Sequence, residues 1–285
     1  MSAIPPPPII LDPLVKDWLR EDLGRGDRTT MGLLLPETKM GKGQWITKQS
    51  GVVAGLPIAA RVFQALNPEV KFVCVATEGK RCNAGDIIAS VEGSLNALLM
   101  GERVALNIGM RLSGIATLTR EYVDKIADLP SQFVDTRKTI PGLRILEKYA
   151  TQVGGAINHR LGLDDAVMIK DNHIQAAGGI EAAVAAIKKN IPYPMTIEVE
   201  TSNLRQVESA VKSDVDIIML DNMDVETMYR GVELIRQNKP HIKIEASGNI
   251  TLKTIRAVAQ TGVDYISSSA PITRSPWLDI SMRLN

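Results

Sequence analysis

Six basic side chains between residues 133 and 173 are the part of the sequence best suited to chemistry. They occur as three pairs: Arg137 and Lys138, His159 and Arg160, Lys170 and His173. Arginine and histidine offer directional donors that suit carboxylates and phosphates, whereas lysine acts as a point charge. Each pair adjoins a short apolar run that is typical of a strand. If these runs are neighbouring parallel strands, their polar ends meet at one edge of a sheet, and the sequence predicts a site for a small, highly charged anion.

Two carboxylates lie at the ends of later apolar runs. Glu200 ends the run at 195–200, and Asp221 follows the run at 215–220. On adjacent strands they could share a divalent cation such as Mg²⁺, or bind sugar hydroxyls. Alternatively they are structural partners of the basic residues, and the residue types leave both interpretations open.

Two turns of small residues follow the last two runs. Ser247, Gly248 and Asn249 precede a helix predicted near Thr251, and Ser267 to Ala270 follow the final run. Backbone N–H groups at such loop–helix junctions bind phosphate. Barrels often place their phosphate site in the loops after the last two strands, so these turns are candidates for one.

The elements that must position these residues form a repeat after residue 130. Strand-like runs occur at 133–136, 166–170, 195–200, 215–220, 242–246 and 263–267. Amphipathic helices are predicted between them, at about 143–153, 180–190, 203–212, 224–237 and 251–260, with Asn203, Asp224 and Thr251 as N-caps. The runs are apolar on both faces, which is typical of parallel strands. All six carry polar residues at their ends, and no glycine-rich dinucleotide fingerprint occurs, so a barrel is favoured over an open doubly wound sheet.

The first 112 residues have a different pattern, in which short strands and one helix indicate a small α+β domain. Asp12 is predicted to cap a first helix with Pro13 at its first position. A helical segment from Leu95 to about residue 127 is expected to break near Ser113 and Gly114. It contains the motif GERVALN, in which Arg103 has apolar neighbours and is interpreted from spacing alone as a side chain on an exposed face.

Composition excludes several classes of protein. The 285 residues are 45% hydrophobic and 23% charged, with a formal net charge of +1. A nucleic-acid-binding protein would more often be visibly basic. Cys74 and Cys82 fit neither a disulfide framework nor a CxxC metal site. No secretory signal or transmembrane run is evident, so we predict a cytoplasmic protein without nucleic-acid or membrane partners.

Seven motifs in the sequence are together specific enough to indicate a family. In order they are GERVALN, DTRKTIPGLR, EKYA followed by NHRLGL, MIKDNH, IEVE, DIIMLDN and SGNI. Together they resemble the quinolinate phosphoribosyltransferase family, with similarity from about Trp18 to Leu284. The resemblance implies an N-terminal α+β sandwich domain at 1–112 and an incomplete (β/α) barrel at 113–270, with the tail at about 271–285 packing back on the first domain. It also implies a homodimer that converts quinolinate and phosphoribosyl pyrophosphate, with Mg²⁺, to nicotinate mononucleotide, pyrophosphate and CO₂.

The resemblance also implies a role for each matching residue. The quinolinate carboxylates would be held by Arg137, His159, Arg160 and Lys170. Arg103 would reach into the partner subunit's pocket, which replaces the interpretation from spacing. Lys138 and Thr139 would line the pocket and its pyrophosphate side, and Glu200 and Asp221 would face the ribose and Mg²⁺, with Lys138, Glu200 and Asp221 as catalytic residues. The 5′-phosphate would be bound by Ser247, Gly248, Asn249, Ser268, Ser269 and Ala270. The family usually has glycine at the position of Ser269, so the resemblance does not decide which backbone N–H groups of that turn bind the phosphate.

Two rival functions use the same residues. In a Schiff-base aldolase, Lys170 would be the nucleophile at a barrel strand end. In a non-catalytic sensor, the same residues would bind a carboxylate or phosphosugar without releasing CO₂.

Overall fold

The computed structural model describes residues 3–36 and 39–284. The chain divides into two compact units: Met1–Arg120, Pro141–Gly155 and Arg274–Asn285 form unit 1, and Glu121–Ile140 and Ala156–Thr273 form unit 2. One helix, Leu95–Lys125, runs through the boundary predicted at residue 112. The assignment of domains to 1–112 and 113–270 stays a prediction.

In chain order the helices and strands are α1 (Pro8–Leu23), α2 (Arg28–Gly32), β1 (Met40–Thr47), β2 (Gly51–Val52), α3 (Leu56–Leu66), β3 (Lys71–Cys74), β4 (Arg81–Cys82), β5 (Ile87–Ser94), α4 (Leu95–Lys125), β6 (Gln132–Val134), α5 (Arg144–Gly154), β7 (Val167–Ile169), α6 (Asp171–Ala177), α7 (Ile180–Lys188), β8 (Ile197–Thr201), α8 (Leu204–Lys212), β9 (Ile217–Asp221), α9 (Val225–Asn238), β10 (Lys243–Ser247), α10 (Ile255–Ala259), β11 (Tyr265–Ser267), α11 (Ala270–Thr273) and β12 (Ile280–Leu284). Within the described residues, none of the helices combines the length and the apolar character needed to cross a lipid bilayer.

Unit 1 is built on an antiparallel sheet with the order β12-β1-β5-β3. Its core centres on Trp45, which is fully buried between Phe63 and Phe72 in edge-to-face contacts at 6.5 and 5.4 Å between ring centroids. Helix α4 passes close to this ring, because a Cβ on Gly109 would lie 2.9 Å from the indole. The last strand, β12, completes the sheet by pairing with β1.

Helix α5 is held in unit 1 by buried polar contacts. Arg111 on α4 forms an ion pair with Glu147, whose side chain has no exposed surface. Tyr149 donates a hydrogen bond to Glu78, which also accepts from the first N–H groups of α3 at Gly55 and Leu56. Burial raises the pKa of the Glu78 carboxyl, while its hydrogen bonds oppose that rise. One carboxylate therefore joins the start of α3 to the middle of α5.

Unit 2 is a parallel sheet with the order β6-β11-β10-β9-β8-β7. Among the described residues, β6 and β7 are its outer strands and no ladder joins them to each other. The predicted fold class, an N-terminal α+β sandwich with an incomplete (β/α) barrel, is confirmed. Alternation along the strands gives the sheet two different faces. One is apolar, with Val199, Ile218 and Ile244 fully buried, and the other carries Glu198, Glu200, Asp221, Glu245 and Ser247 in register.

Several predicted elements were wrong in detail. The first helix begins at Pro8, with Pro13 inside it, and Asp12 binds Arg61 instead of capping a helix. Helix α4 is continuous through Ser113 and Gly114. Helix α6 was not predicted, and the helix expected over 251–260 is confined to α10.

Candidate active site

The carboxyl-terminal edge of the unit 2 sheet holds nearly all the predicted site residues. Each of its six strands ends within three residues of one of them, and because all six strands run in parallel these ends share one edge. In the order of the sheet, these residues are Arg137, Ser268, Ser247, Asp221, Glu200 and Lys170. Lys138 and Thr139 continue the loop after β6, Lys138 being exposed and Thr139 half-buried. Arg103 belongs to unit 1 and is exposed on α4.

Two arginines at this edge repel each other. Burial, followed by the nearby charge of Arg137, lowers the pKa of Arg160, and the charge of Glu198 opposes this. Arg160 is oriented by a hydrogen bond from its guanidinium to the Ala166 carbonyl at 3.0 Å. The Nε of Arg137 is buried and has no acceptor among the described residues. An anion placed between the two guanidinium groups would satisfy that donor and offset the repulsion.

The loop that carries Arg160 is attached to β6 by Asp135, a buried residue to which the sequence analysis gave no role. One carboxylate oxygen of Asp135 accepts from the His159 N–H and the other from the Asn158 amide, both at 2.8 Å. The segment also pairs with β6 through a bridge between Val134 and Ile157. The one signal for this role in the sequence is the position of Asp135, which is the first residue of the DTRKT motif and stands between β6 and the loop.

His159 faces two buried carboxylates. Its Nδ1 accepts from the Arg160 N–H at 2.7 Å, and its Nε2 lies 3.2 Å from Glu198 and 3.6 Å from Glu245. Burial and the charge of Glu198 raise the pKa of Glu245. Both ring nitrogens are thus engaged within the protein, and direct contact of His159 with a substrate carboxylate stays a prediction.

The donors of His159, Glu198 and Glu245 lie within 4.8 Å of one another, close enough to bind a metal ion. Their surroundings oppose a cation, because the charges of Arg160 and Lys170 interact with the two carboxylates. We interpret the three residues as a hydrogen-bonded support for Arg160.

Lys170 and Glu200 form an ion pair across β7 and β8. Lys170 is also the residue before α6, and its N–H donates to the His173 ring at 3.0 Å. His173 therefore caps the start of α6. That it joins the other basic side chains in binding an anion stays a prediction. Asp221 accepts from the Asn222 amide at 2.7 Å through Oδ2.

Glu200 and Asp221 fit a Mg²⁺ ion by their donor chemistry. Each uses one oxygen for a neighbouring side chain, and among the described residues no donor reaches the other oxygen. Mg²⁺ is usually bound through one or two carboxylates together with substrate phosphates and water. Two carboxylates with one open oxygen each match that requirement.

The turn after β10 has the backbone of an anion site. Gly248 and Asn249 have φ values of 90° and 52°, and in the described structure their N–H groups have no protein acceptor. Successive N–H groups in such a conformation form a concave donor surface. At the neighbouring turn the Ala270 N–H is already bonded to the Ser268 hydroxyl at 3.2 Å. Ser269 is not among the residues with positive φ, so its backbone does not require the glycine usual in the family.

Comparison with known proteins agrees with this arrangement. The family model described as quinolinate phosphoribosyl transferase, C-terminal domain, matches residues 115–283, and its N-terminal counterpart matches residues 27–113. The chain belongs to the quinolinate phosphoribosyltransferase family. It is 61% identical over 279 residues to a probable nicotinate-nucleotide pyrophosphorylase [carboxylating] of Synechocystis, covering 98% of this chain and 94% of that protein.

Other members of the quinolinate phosphoribosyltransferase family are also similar to this chain. The probable nicotinate-nucleotide pyrophosphorylase [carboxylating] of Bacillus subtilis is 40% identical, covering 95% of this chain and 92% of that protein. The crystal structure of NadC from Streptococcus pyogenes matches with a TM-score of 0.94 at 39% identity, covering 99% of both chains. Both units of the fold are therefore shared with these relatives.

Proposed function

We propose that the chain catalyses the reaction after which its family is named. Quinolinate and phosphoribosyl pyrophosphate are converted to nicotinate mononucleotide, pyrophosphate and CO₂, a step of de novo NAD synthesis. The observation that carries the proposal is the combination found at one sheet edge. Two mutually repelling arginines, one with a buried donor lacking an acceptor, accompany a turn with N–H groups that have no acceptor in the described residues.

The two substrates place different demands on this edge. Quinolinate carries two carboxylates on one ring, and we assign them to Arg137, Arg160 and Lys170. The 5′-phosphate of the second substrate is assigned to the N–H groups of Gly248 and Asn249, with Ser247, Ser268, Ser269 and Ala270 around it. Lys138 and Thr139 are assigned to the pyrophosphate side. Holding both substrates on fixed strand ends replaces a bimolecular encounter by an oriented one.

The reaction then follows from charge. The pyridine nitrogen bonds to C1 of the ribose while the bond from C1 to the pyrophosphate oxygen breaks. Glu200 and Asp221 stabilise the positive charge that develops at C1, and Lys138 offsets the charge of the leaving pyrophosphate. Glu200 and Asp221 would also hold the Mg²⁺ that neutralises pyrophosphate charge when bound.

Decarboxylation is driven by the new ring charge. Once the ring nitrogen is cationic, the carboxylate at the adjacent carbon leaves as CO₂, and the electron pair stays on that carbon. The carbon then takes up one proton. The arginines hold the second carboxylate, which is retained, so that the ring stays oriented through both steps.

We also propose a cytoplasmic homodimer. Cys74 and Cys82 are free, which suits a reducing compartment. Arg103 supports the homodimer, because its exposed guanidinium is available to a partner subunit's quinolinate pocket. Lys170 is engaged with Glu200, and an ammonium group paired in this way is a poor Schiff-base nucleophile, which argues against an aldolase.

The decisive assay measures CO₂ and pyrophosphate release from quinolinate with phosphoribosyl pyrophosphate, with nicotinate as the control substrate. Arg137→Ala should lower kcat/KM by about 30- to 5,000-fold, since removing one side of a desolvated charge contact costs about 2–5 kcal/mol. Arg205→Ala, at an exposed position on α8, is the matched control and should retain activity. Full activity of Arg137→Ala, or equal turnover of nicotinate, would refute the assignment.

A further inference from the structure

Asn222 is a conformationally unusual residue directly after β9. Its φ is 55°, and Leu34, Asn222 and Asn249 are the non-glycine residues with positive φ in the described parts of the chain. Two of the three therefore belong to neighbouring turns at the candidate site. Asparagine adopts this left-handed conformation more readily than most residues, but it remains uncommon and is maintained by surrounding contacts.

The contacts of Asn222 join two strand ends. Its amide nitrogen donates to Asp221 Oδ2 at 2.7 Å, and its amide oxygen accepts from the Asn249 side chain at 3.1 Å. Its backbone N–H donates to the Ser247 carbonyl at 2.9 Å. An amide donates to a carboxylate and accepts from a second amide at once, whereas aspartate only accepts and leucine does neither.

Asn222 also shapes the turn that follows β10. A Cβ placed on Gly248 would lie 2.2 Å from the Asn222 Oδ1 atom and 2.8 Å from its backbone nitrogen. The amide of Asn222 thus occupies the space that a side chain at 248 would take. The turn that carries the N–H groups of Gly248 and Asn249 therefore packs against Asn222, which fixes its conformation.

We propose that Asn222 is a positioning residue that fixes the Asp221 carboxylate relative to the phosphate-binding turn. This inference rests on the proposed function. By occupying Oδ2 of Asp221, Asn222 leaves Oδ1, which no donor of the described residues reaches, available to the ribose. By bonding Asn249 and Ser247 it holds the N–H groups that receive the 5′-phosphate. The distance between these two parts of phosphoribosyl pyrophosphate is constant, so a shift of either strand end weakens binding of that substrate alone.

The exposure of Asn222 separates this role from a merely structural one. Its side chain is exposed, and its hydrogen bonds to Asp221 and Asn249 lie at the surface. Exposed hydrogen bonds of this kind contribute little to global stability, because water replaces them in the unfolded chain. Removing the amide should therefore change substrate binding far more than thermal stability.

Two substitutions divide the functions of the side chain. Asn222→Gly keeps the left-handed backbone without strain and deletes the amide. Asn222→Asp keeps an acceptor for Asn249 but places a carboxylate against Asp221. Asn190→Gly, in the exposed turn after α7, is the matched control for an asparagine-to-glycine change.

The measurements are KM for each substrate, kcat, Tm, and calorimetric binding of ribose 5-phosphate without metal. Asn222→Gly should raise KM for phosphoribosyl pyrophosphate and Kd for ribose 5-phosphate about 10- to 100-fold, as substitutions behind a ligand-binding group do. KM for quinolinate should change by less than about twofold, and Tm by less than about 2 °C, since exposed contacts add little stability. Asn222→Asp should be at least as impaired, because it sets two carboxylates together.

The outcomes are distinguishable. If the unsubstituted protein releases CO₂ and binds ribose 5-phosphate while Asn222→Gly matches it in both, the positioning role is refuted and the proposed function stands. Equal increases in KM for both substrates, or a loss of Tm that explains the loss of activity, also overturn it. If the unsubstituted protein neither binds ribose 5-phosphate nor releases CO₂, the proposed function fails, and this inference with it.

Discussion

Gly248→Ala should damage the turn after β10 in a way that the backbone angle alone does not explain. A φ of 90° costs a residue with a Cβ about 1–2 kcal/mol. The new Cβ would also lie 2.2 Å from the Asn222 side chain and 2.8 Å from its backbone nitrogen. Because the backbone nitrogen of Asn222 is also bonded to the Ser247 carbonyl, the turn itself must shift to relieve the overlap, and overpacking of this kind costs about 1–3 kcal/mol. We therefore expect a total loss of about 3–4 kcal/mol, of which about half is steric.

Gly85→Ala is the control, because Gly85 has a φ of 92° and nothing within 4 Å of an added Cβ. Its loss should be the backbone cost alone, about 1–2 kcal/mol. The difference of about 2 kcal/mol corresponds to a Tm about 3 °C lower for Gly248→Ala, measured by circular dichroism. Only Gly248→Ala should also raise KM for phosphoribosyl pyrophosphate. Equal losses of Tm in the two variants would show that the close approach of Asn222 to Gly248 is not a constraint.

Two further predictions concern buried charges. Arg111→Ala removes an ion-pair partner of the buried Glu147 and should cost about 3–5 kcal/mol in urea unfolding. Arg111→Met combined with Glu147→Gln should recover part of that loss, and no recovery would contradict the charge argument. Burial and repulsion from Glu198 raise the pKa of Glu245 above its ordinary value of 4.5. Above pH 4.5 the folded state therefore retains a proton that the unfolded chain has lost. The free energy of unfolding should fall as the pH rises through this range. Glu245→Gln should flatten that pH dependence, while Glu208→Gln, at an exposed position on α8, should leave it unchanged; the same slope in both would refute the shift.

The repeating part of the fold could be predicted from local signals. Helix α8 begins after Asn203 and α9 after Asp224, and these two predicted caps accept a backbone N–H, from Gln206 at 3.1 Å and Thr227 at 2.7 Å. The third predicted cap, Thr251, was wrong, because α10 begins at Ile255 with Thr254 at its N-cap position. Such caps act within one turn of chain, so the sequence contains both partners. The meeting of the polar strand ends could also be predicted, because the carboxyl ends of parallel strands lie at one edge of the sheet.

Errors arose where a distant partner decides the local structure. Gly114 was interpreted as a helix break, but it lies against the Pro276 carbonyl, and an added Cβ would be 2.0 Å from that oxygen. Ser113 likewise bonds both the N–H and the carbonyl of Ala54. These small residues permit close packing between segments far apart in the sequence, 59 residues apart for Ser113 and Ala54, which helical spacing does not reveal. Asn222 was missed for a similar reason, because its partner Asn249 lies on another strand end.

The pairing of β12 with β1 has a consequence for how the chain is made. About 230 residues separate the two strands, and the whole parallel sheet is translated between them. At roughly 5–20 residues per second, β1 leaves the ribosome roughly 10–50 s before its outer neighbour exists. Throughout that interval its unpaired N–H and C=O groups are open to strands of other nascent chains. The sheet of unit 1 is therefore begun before the parallel sheet of unit 2 and completed after it.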